Sequence, residues 1–203
     1  MIVQLDDERE RDWLAACRHG DSAACARVVH AYQDLALRTA FLLTNDRQAA
    51  EDVAQNAFLN AFRHLDRFDL DRPFRPWFLA ILANEARMFL RSQRGRRQVP
   101  LDEASVDIRV EQADALLSRV IRDDERARVR AALGTLDEPF RTTIVLYYFN
   151  DLSIDEVAAA TDTSPGTVKS RLYRGRQELR QALSGAEEPP PAPARQLSWR
   201  TSR

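Results

Sequence analysis

Residues 162–183 read DTSPGTVKSRLYRGRQELRQAL and hold five Lys or Arg side chains against two acidic ones. The whole chain carries a formal net charge of only −1. On a helical wheel at about 100° per residue, Val168, Leu172, Gly175, Leu179 and Leu183 share one narrow arc. Ser170, Tyr173, Arg174 and Gln177 fall opposite, and Lys169, Arg171, Arg176 and Arg180 flank the stripe. The chemistry open to such a face is recognition rather than bond making. Donors on the outer face suit base edges, and cations at the sides suit phosphates, as a helix in a DNA major groove requires. A merely solvated amphipathic helix mixes its charge signs more evenly. Between Ser164 and Leu183 only Glu178 is acidic, which favours duplex reading.

A second constellation lies in PWFLAILANEARMFLRSQRGRR. Phe78, Ile81, Leu82 and Phe89 point one way, and Asn84, Arg87, Arg91 and Arg94 point the other, with Trp77 at the edge. Residues 84–98 contain five arginines against Glu85 alone. An arginine stripe beside Trp77, Phe74 and Phe68 suits a single nucleic-acid strand: cations hold the backbone, and rings or polar pockets receive unstacked bases. Phe78 and Phe89 read as core. A third surface is apolar among polar. The helix DRQAAEDVAQNAFLNAFRHL buries Ala50, Val53, Ala54, Ala57, Phe58, Ala61 and Leu65, and turns Asp52, Gln55, Asn56, Leu59 and Arg63 outward. A leucine ringed by polar groups suggests a protein-docking face, although single exposed leucines are ordinary.

These faces need helices to position them. Ser153 and Glu156 form a capping box that starts one helix, whose inner face is Ile154, Val157 and Ala158. A short turn at Asp162 and Thr163 follows, and Ser164 caps the next helix with Pro165 in its first position. Two helices joined by a tight turn predict a helix-turn-helix. In the N-terminal half, Asp21 caps a helix that turns Val28, Val29, Tyr32, Leu35 and Ala36 inward. Further helices are predicted over roughly residues 46–67 and 75–97, separated by FDLDRPFRP, whose prolines break helical continuity. Residues 99–126 hold eight acidic and four basic side chains without a sustained apolar stripe, so they read as a linker, helical only late. The tail GAEEPPPAPARQLSWRTSR reads as disordered. The expected fold is all-α: two small helical domains, 1–98 and 126–184, joined by a flexible linker, 99–125, and followed by the tail, 185–203.

Composition narrows the function classes. With 44% hydrophobic and 30% charged residues, the chain reads as soluble and globular. No run of 18 apolar residues occurs, so no membrane insertion is expected. The acidic start MIVQLDDERERDW is unlike a secretory signal, and a cytoplasmic location is expected. Cys17 and Cys25 form no C-x-x-C motif, and His19, His30 and His64 are scattered, so no metal site is expected. The cysteines read as small core residues. No catalytic Ser/His/Asp or Cys/His arrangement and no Gly-rich phosphate loop occurs. The expectation is a protein that is not an enzyme and has no cofactor.

Taken together, AAEDVAQNAFLNAFRHLDRFD, RPFRPWFLAILANEARMFLR and LDEPFRTTIVLYYFNDLSIDEVAAATDTSPGTVKSRLYRGRQELR resemble three ordered segments of the extracytoplasmic-function sigma factors, initiation subunits of bacterial RNA polymerase. The likeness covers roughly residues 10–183. It implies an alternative sigma factor that directs core RNA polymerase to promoters and promotes melting. It also implies that Asp52, Gln55, Asn56 and Leu59 dock on the polymerase. Asp69, Arg72, Phe74, Trp77, Asn84, Arg87 and Arg91 would handle the single-stranded −10 element. Thr167, Lys169, Ser170, Arg171, Tyr173 and Arg174 would contact the −35 duplex. An anti-sigma factor is the further partner implied. Asn56 stands where the family usually has Glu, Ala80 where a basic residue is frequent, and Gly175 where Ala is usual. The competing readings are a sigma-like decoy that captures an anti-sigma factor, and a plain helix-turn-helix regulator.

Overall fold

A computed structural model describes residues 7–96 and 124–185. The expected linker core and the tail lie outside the described residues. Among those described, every regular element is helical. The N-terminal half comprises α1 (Asp7–Arg18), α2 (Ser22–Thr44), α3 (Arg47–Arg63), a 3₁₀ turn (Leu65–Arg67) and α4 (Phe74–Arg96). The C-terminal half comprises α5 (Asp124–Thr135), α6 (Glu138–Ile144), a π turn (Val145–Phe149), α7 (Ile154–Thr161) and α8 (Pro165–Gly185).

Local chemistry explains most boundaries. The Asp21 carboxylate accepts from the backbone N–H groups of Ala23 and Ala24 at 2.8 and 3.1 Å, starting α2. Asn45 closes α2 in the left-handed region at φ 55°, and Asp46 at once caps α3 through the Ala49 N–H. Such caps satisfy amide groups that the first helical turn leaves without partners. Gly20, at φ +91°, bends the chain between α1 and α2 in a conformation that side chains rarely tolerate. That bend folds α2 back on α1, and Cys17 and Cys25 form a disulfide with their Cα atoms 4.9 Å apart. The pair is therefore a covalent clasp rather than two core thiols. They are eight positions apart in sequence, and the helix reversal brings them together.

The core of the N-terminal half is aromatic and alanine-rich. Phe74 and Phe78 stack at 5.6 Å, and Tyr32 meets each of them edge-on. Fully burying one phenylalanine contributes about 1.5–3 kcal/mol. Ala50, Ala54, Ala57 and Ala61 are all buried on α3, and their small side chains let the helices approach closely. The C-terminal half packs α6 against α8 and α7 against α8.

The halves also pack on each other, α4 against α7 and α2 against α5. Thr39 on α2 donates to Asn150 Oδ1 at 3.0 Å in a buried hydrogen bond, and Asn150 donates to Val145 O. The Arg141 guanidinium donates to Leu43 O on α2 and to Gly134 O and Leu136 O in its own half. Arg130 lies over the Phe41 ring, 5.2 Å from its centroid. One core cluster runs through both halves.

Candidate nucleic-acid interface

The turn between α7 and α8 builds the helix-turn-helix. Ser153 caps α7, with its N–H and hydroxyl both bound to Glu156 Oε2 at 2.7 Å, so the capping box is complete. Asp162 ends α7 in the left-handed region at φ 51°, which turns the chain sharply. The Ser164 hydroxyl accepts from the Thr167 N–H at 3.1 Å, and Pro165 opens α8. Val168, Leu172 and Gly175 are buried, with Leu179 and Leu183 half-buried. Lys169, Ser170, Tyr173 and Arg174 are exposed, and Thr167 and Arg171 are half-buried. The outward face thus carries hydroxyl, amine and guanidinium donors on a rigid cylinder.

Gly175 marks a close approach between helices. A Cβ there would lie 2.8 Å from Ile144 Cδ1 and 3.3 Å from Phe140 Cβ. The glycine therefore admits α6, rather than the helix directly before α8.

On α4, Asn84 is exposed and Arg87 half-buried, and the Arg87 guanidinium donates to Asn84 Oδ1 at 2.8 Å. That bond orients the amide one turn along the helix. Glu85, behind it, accepts from Asn60 Nδ2 at 2.6 Å and fixes α4 to α3. The loop before α4 is an ordered turn: Asp69 Oδ1 accepts from the Asp71 N–H at 3.0 Å, and Asp69 pairs with Arg72 at 3.6 Å. Trp77 is half-buried, its ring 4.7 Å from Phe68 and 5.6 Å from Phe74. Phe74 is only 1% exposed and Phe68 is also buried. Phe74 therefore supports the loop from beneath and presents no face to a strand, contrary to the expectation for it. Its ring is held by Tyr32, Phe68 and Phe78, and a ring enclosed on all sides cannot stack on a base.

On α3, Asp52, Gln55, Asn56 and Leu59 form one exposed strip, with Leu59 48% exposed. Their i, i+3, i+4, i+7 spacing makes the strip continuous.

Residues 28–96 match the family model for Sigma-70 region 2, and residues 126–179 match that for Sigma-70, region 4. The RNA polymerase sigma-H factor of Pseudomonas aeruginosa is 32% identical over 186 residues, spanning 88% of this chain and 96% of that protein. The ECF RNA polymerase sigma factor SigW of Bacillus subtilis is 30% identical over 177 residues, spanning 82% and 92%. This chain is an alternative sigma factor of the extracytoplasmic-function group. Among solved structures, CnrH in complex with the cytosolic domain of CnrY aligns at a TM-score of 0.62 and 28% identity, covering 89% of this chain and 99% of that one. RpoE in complex with the anti-sigma factor NepR, from Bartonella quintana, shares the fold at a TM-score of 0.62 and 24% identity, covering 78% and 96%.

In the sigma factor the three expected faces occupy different elements, and the two halves bring part of two faces together. Arg87 and Arg91 of α4, Arg171 of α8, and Glu138 and Thr142 of α6 line one gap of about 130 Å³. Several exposed groups were not anticipated from the pattern. Met88, 57% exposed, lies beside Asn84, whose amide is 3.7 Å from its sulfur. Tyr148 and Phe149 are exposed beside Arg176, which donates to the Tyr148 hydroxyl at 3.4 Å. The signal for both was present: an apolar residue at a position where the helical wheel points outward. No helix among the described residues is long and apolar enough to cross a membrane.

Proposed function

We propose that this sigma factor works in the cytoplasm, docks on core RNA polymerase through Asp52, Gln55, Asn56 and Leu59, and reads two promoter elements with residues 1–98 and 126–184 as separate working units. Lys169, Ser170, Tyr173 and Arg174 contact the −35 duplex from the major groove, with Thr167 and Arg171 at the phosphates. Asp69, Arg72, Trp77, Asn84, Arg87 and Arg91 receive the non-template −10 strand. The polymerase performs the catalysis, and the sigma factor supplies position and strand capture. Melting costs a few kcal/mol per unstacked step, and binding the exposed strand offsets that cost and populates the open state.

The observation that carries this reading is the exposed Asn84 amide, held by Arg87 on α4 two turns along from the half-buried Trp77. An oriented amide on the same helix face as an aromatic edge and cations fits an unpaired base better than it fits a duplex.

The packing of the halves has a consequence for this role. Elements centred about 25 base pairs apart lie about 85 Å apart along a duplex. Arg87 and Arg171 line the same small gap, so the packed arrangement cannot serve both elements at once. Residues 97–123, fully extended, would reach about 90 Å, enough for the halves to part. An anti-sigma partner would act by holding the two units away from the promoter. Of the structural neighbours, RpoE is described in complex with the anti-sigma factor NepR, and CnrH in complex with the cytosolic domain of CnrY.

The test is transcription from genomic fragments by core RNA polymerase with and without the protein, read by sequencing transcript ends. Shared −35 and −10 sequences upstream of discrete starts, lost with Asn84→Ala and with Arg174→Ala, support the reading. Absence of core binding and of transcripts, with capture of an anti-sigma protein instead, supports a decoy.

A further inference from the structure

Helix α1 lies outside all three faces, yet it is fastened on two sides. On one side Cys17 is bonded to Cys25 of α2. On the other, Arg18 donates through Nε to Leu65 O at 3.0 Å and through Nη2 to Phe68 O. Arg11, seven residues earlier on the same face of the helix, forms an ion pair with Asp71. Leu65 and Phe68 bracket the 3₁₀ turn, and Asp71 lies in the loop that follows it. The two arginines thus grip both ends of the segment that leads into α4. Leu14 and Cys17 are buried along α1, Trp13 and Ala16 pack partly buried against the core, and the Tyr32 hydroxyl of α2 donates to Glu10. A 12-residue helix is marginal without tertiary support. The disulfide is the covalent anchor at the end of that helix where Arg18 follows Cys17 directly.

We propose that Cys17–Cys25 is a thiol-exchange site whose oxidised form holds the loop of residues 65–73 in place for strand capture, and whose reduction by a protein dithiol releases it. Disulfides in the cytoplasm are rare and are mostly transient or sensing. Cys25 is half-buried and Cys17 buried, so the attacking thiolate reaches the Cys25 sulfur. That attack forms a mixed disulfide and expels Cys17 as a thiolate. The second thiol of the reductant then displaces Cys25, and the reductant leaves as a disulfide. Two electrons and two protons pass to the cysteine pair. Freed of the clasp, the end of α1 no longer holds Arg18 against Leu65 O and Phe68 O. A loop ordered beforehand loses less freedom on binding, so the oxidised form captures the strand better. Ordering one or two long side chains corresponds to about three- to tenfold in open complexes.

The meaning given to the loop rests on the proposed −10 role, whereas the clasp can be tested without DNA. Full-length protein is prepared oxidised and after dithiothreitol, with the thiols counted by alkylation and mass spectrometry. Hydrogen exchange is then followed at residues 65–74. The expected result is about tenfold faster exchange there after reduction. Arg18→Ala should show the same fast exchange with its disulfide intact, and the double variant Cys17→Ser/Cys25→Ser should show it in either buffer. Unchanged exchange in fully reduced protein, or full protection in Arg18→Ala, overturns the brace. Permanganate footprinting of open complexes then compares the two redox forms on a promoter found with the reduced form. Equal yields overturn the switch. Transcription that depends on neither Asn84 nor the loop removes the −10 reading, while the exchange data still judge the clasp.

Discussion

Gly175 illustrates two opposed terms at one residue. Alanine there would favour the helix by about 1 kcal/mol. Its Cβ would sit 2.8 Å from Ile144 Cδ1, and Ile144 is 1% exposed within a close-packed core, where overpacking costs about 1–3 kcal/mol. The second term is the larger, so Gly175→Ala should lower stability by about 1 kcal/mol in urea melts. Ile144→Val removes the clashing methyl, so the double variant should be more stable than the sum of the two single effects. At the recognition face, Arg174→Ala should cost about 1–3 kcal/mol and relax sequence preference at one base pair. Arg171→Ala should weaken all sequences alike and reduce the salt slope of binding by about one. Fluorescence anisotropy on −35 duplexes over a salt series separates the two. The outward side of α8 was legible residue by residue, because a wheel needs only the helical period. Phe74 was not: a wheel cannot tell a ring at the edge of a surface from one closed in by Tyr32 and Phe68.

At the scale of elements, caps decide where helices begin, and they act over three or four residues. Asp21, Ser153 and Ser164 were therefore readable from sequence, and each makes the expected bond. Ser153→Ala removes an acceptor from the Glu156 N–H and a donor from its carboxylate. The expected loss is about 1 kcal/mol of stability, seen as a lower melting temperature, with −35 binding reduced because α7 supports α8. The Cys17–Cys25 clasp closes a short loop, which by chain entropy is worth about 2.5 kcal/mol. Reduction should lower the denaturation midpoint accordingly. The clasp itself was not legible, since a spacing of eight residues on one continuous helix would keep the two thiols apart. The bend at Gly20 supplies the reversal.

The two halves are joined by helix packing, α4 on α7 and α2 on α5, and by polar contacts between them. Thr39→Val keeps side-chain volume but removes the donor to Asn150, and a net hydrogen bond is worth about 1 kcal/mol. The variant should shift the balance toward separated halves about fivefold. Small-angle scattering should show a larger radius of gyration with helicity unchanged. An unaltered radius would mean that the packing of α4 on α7 and of α2 on α5 holds the halves without this bond.

The sequence by itself determined the helices from α2 onward, the caps at Asp21, Ser153 and Ser164, most buried and outward faces and the family, since each follows from local period, local hydrogen bonding or an ordered motif. Tertiary structure alone decided the disulfide, the burial of Phe74, the brace from Arg11 and Arg18, and the shared gap between Arg87 and Arg171. Those features depend on which surfaces meet after the chain has turned. The pairings are long-range, with Arg18 and Leu65 47 positions apart and Thr39 and Asn150 111 positions apart, and no local pattern encodes a partner at that distance.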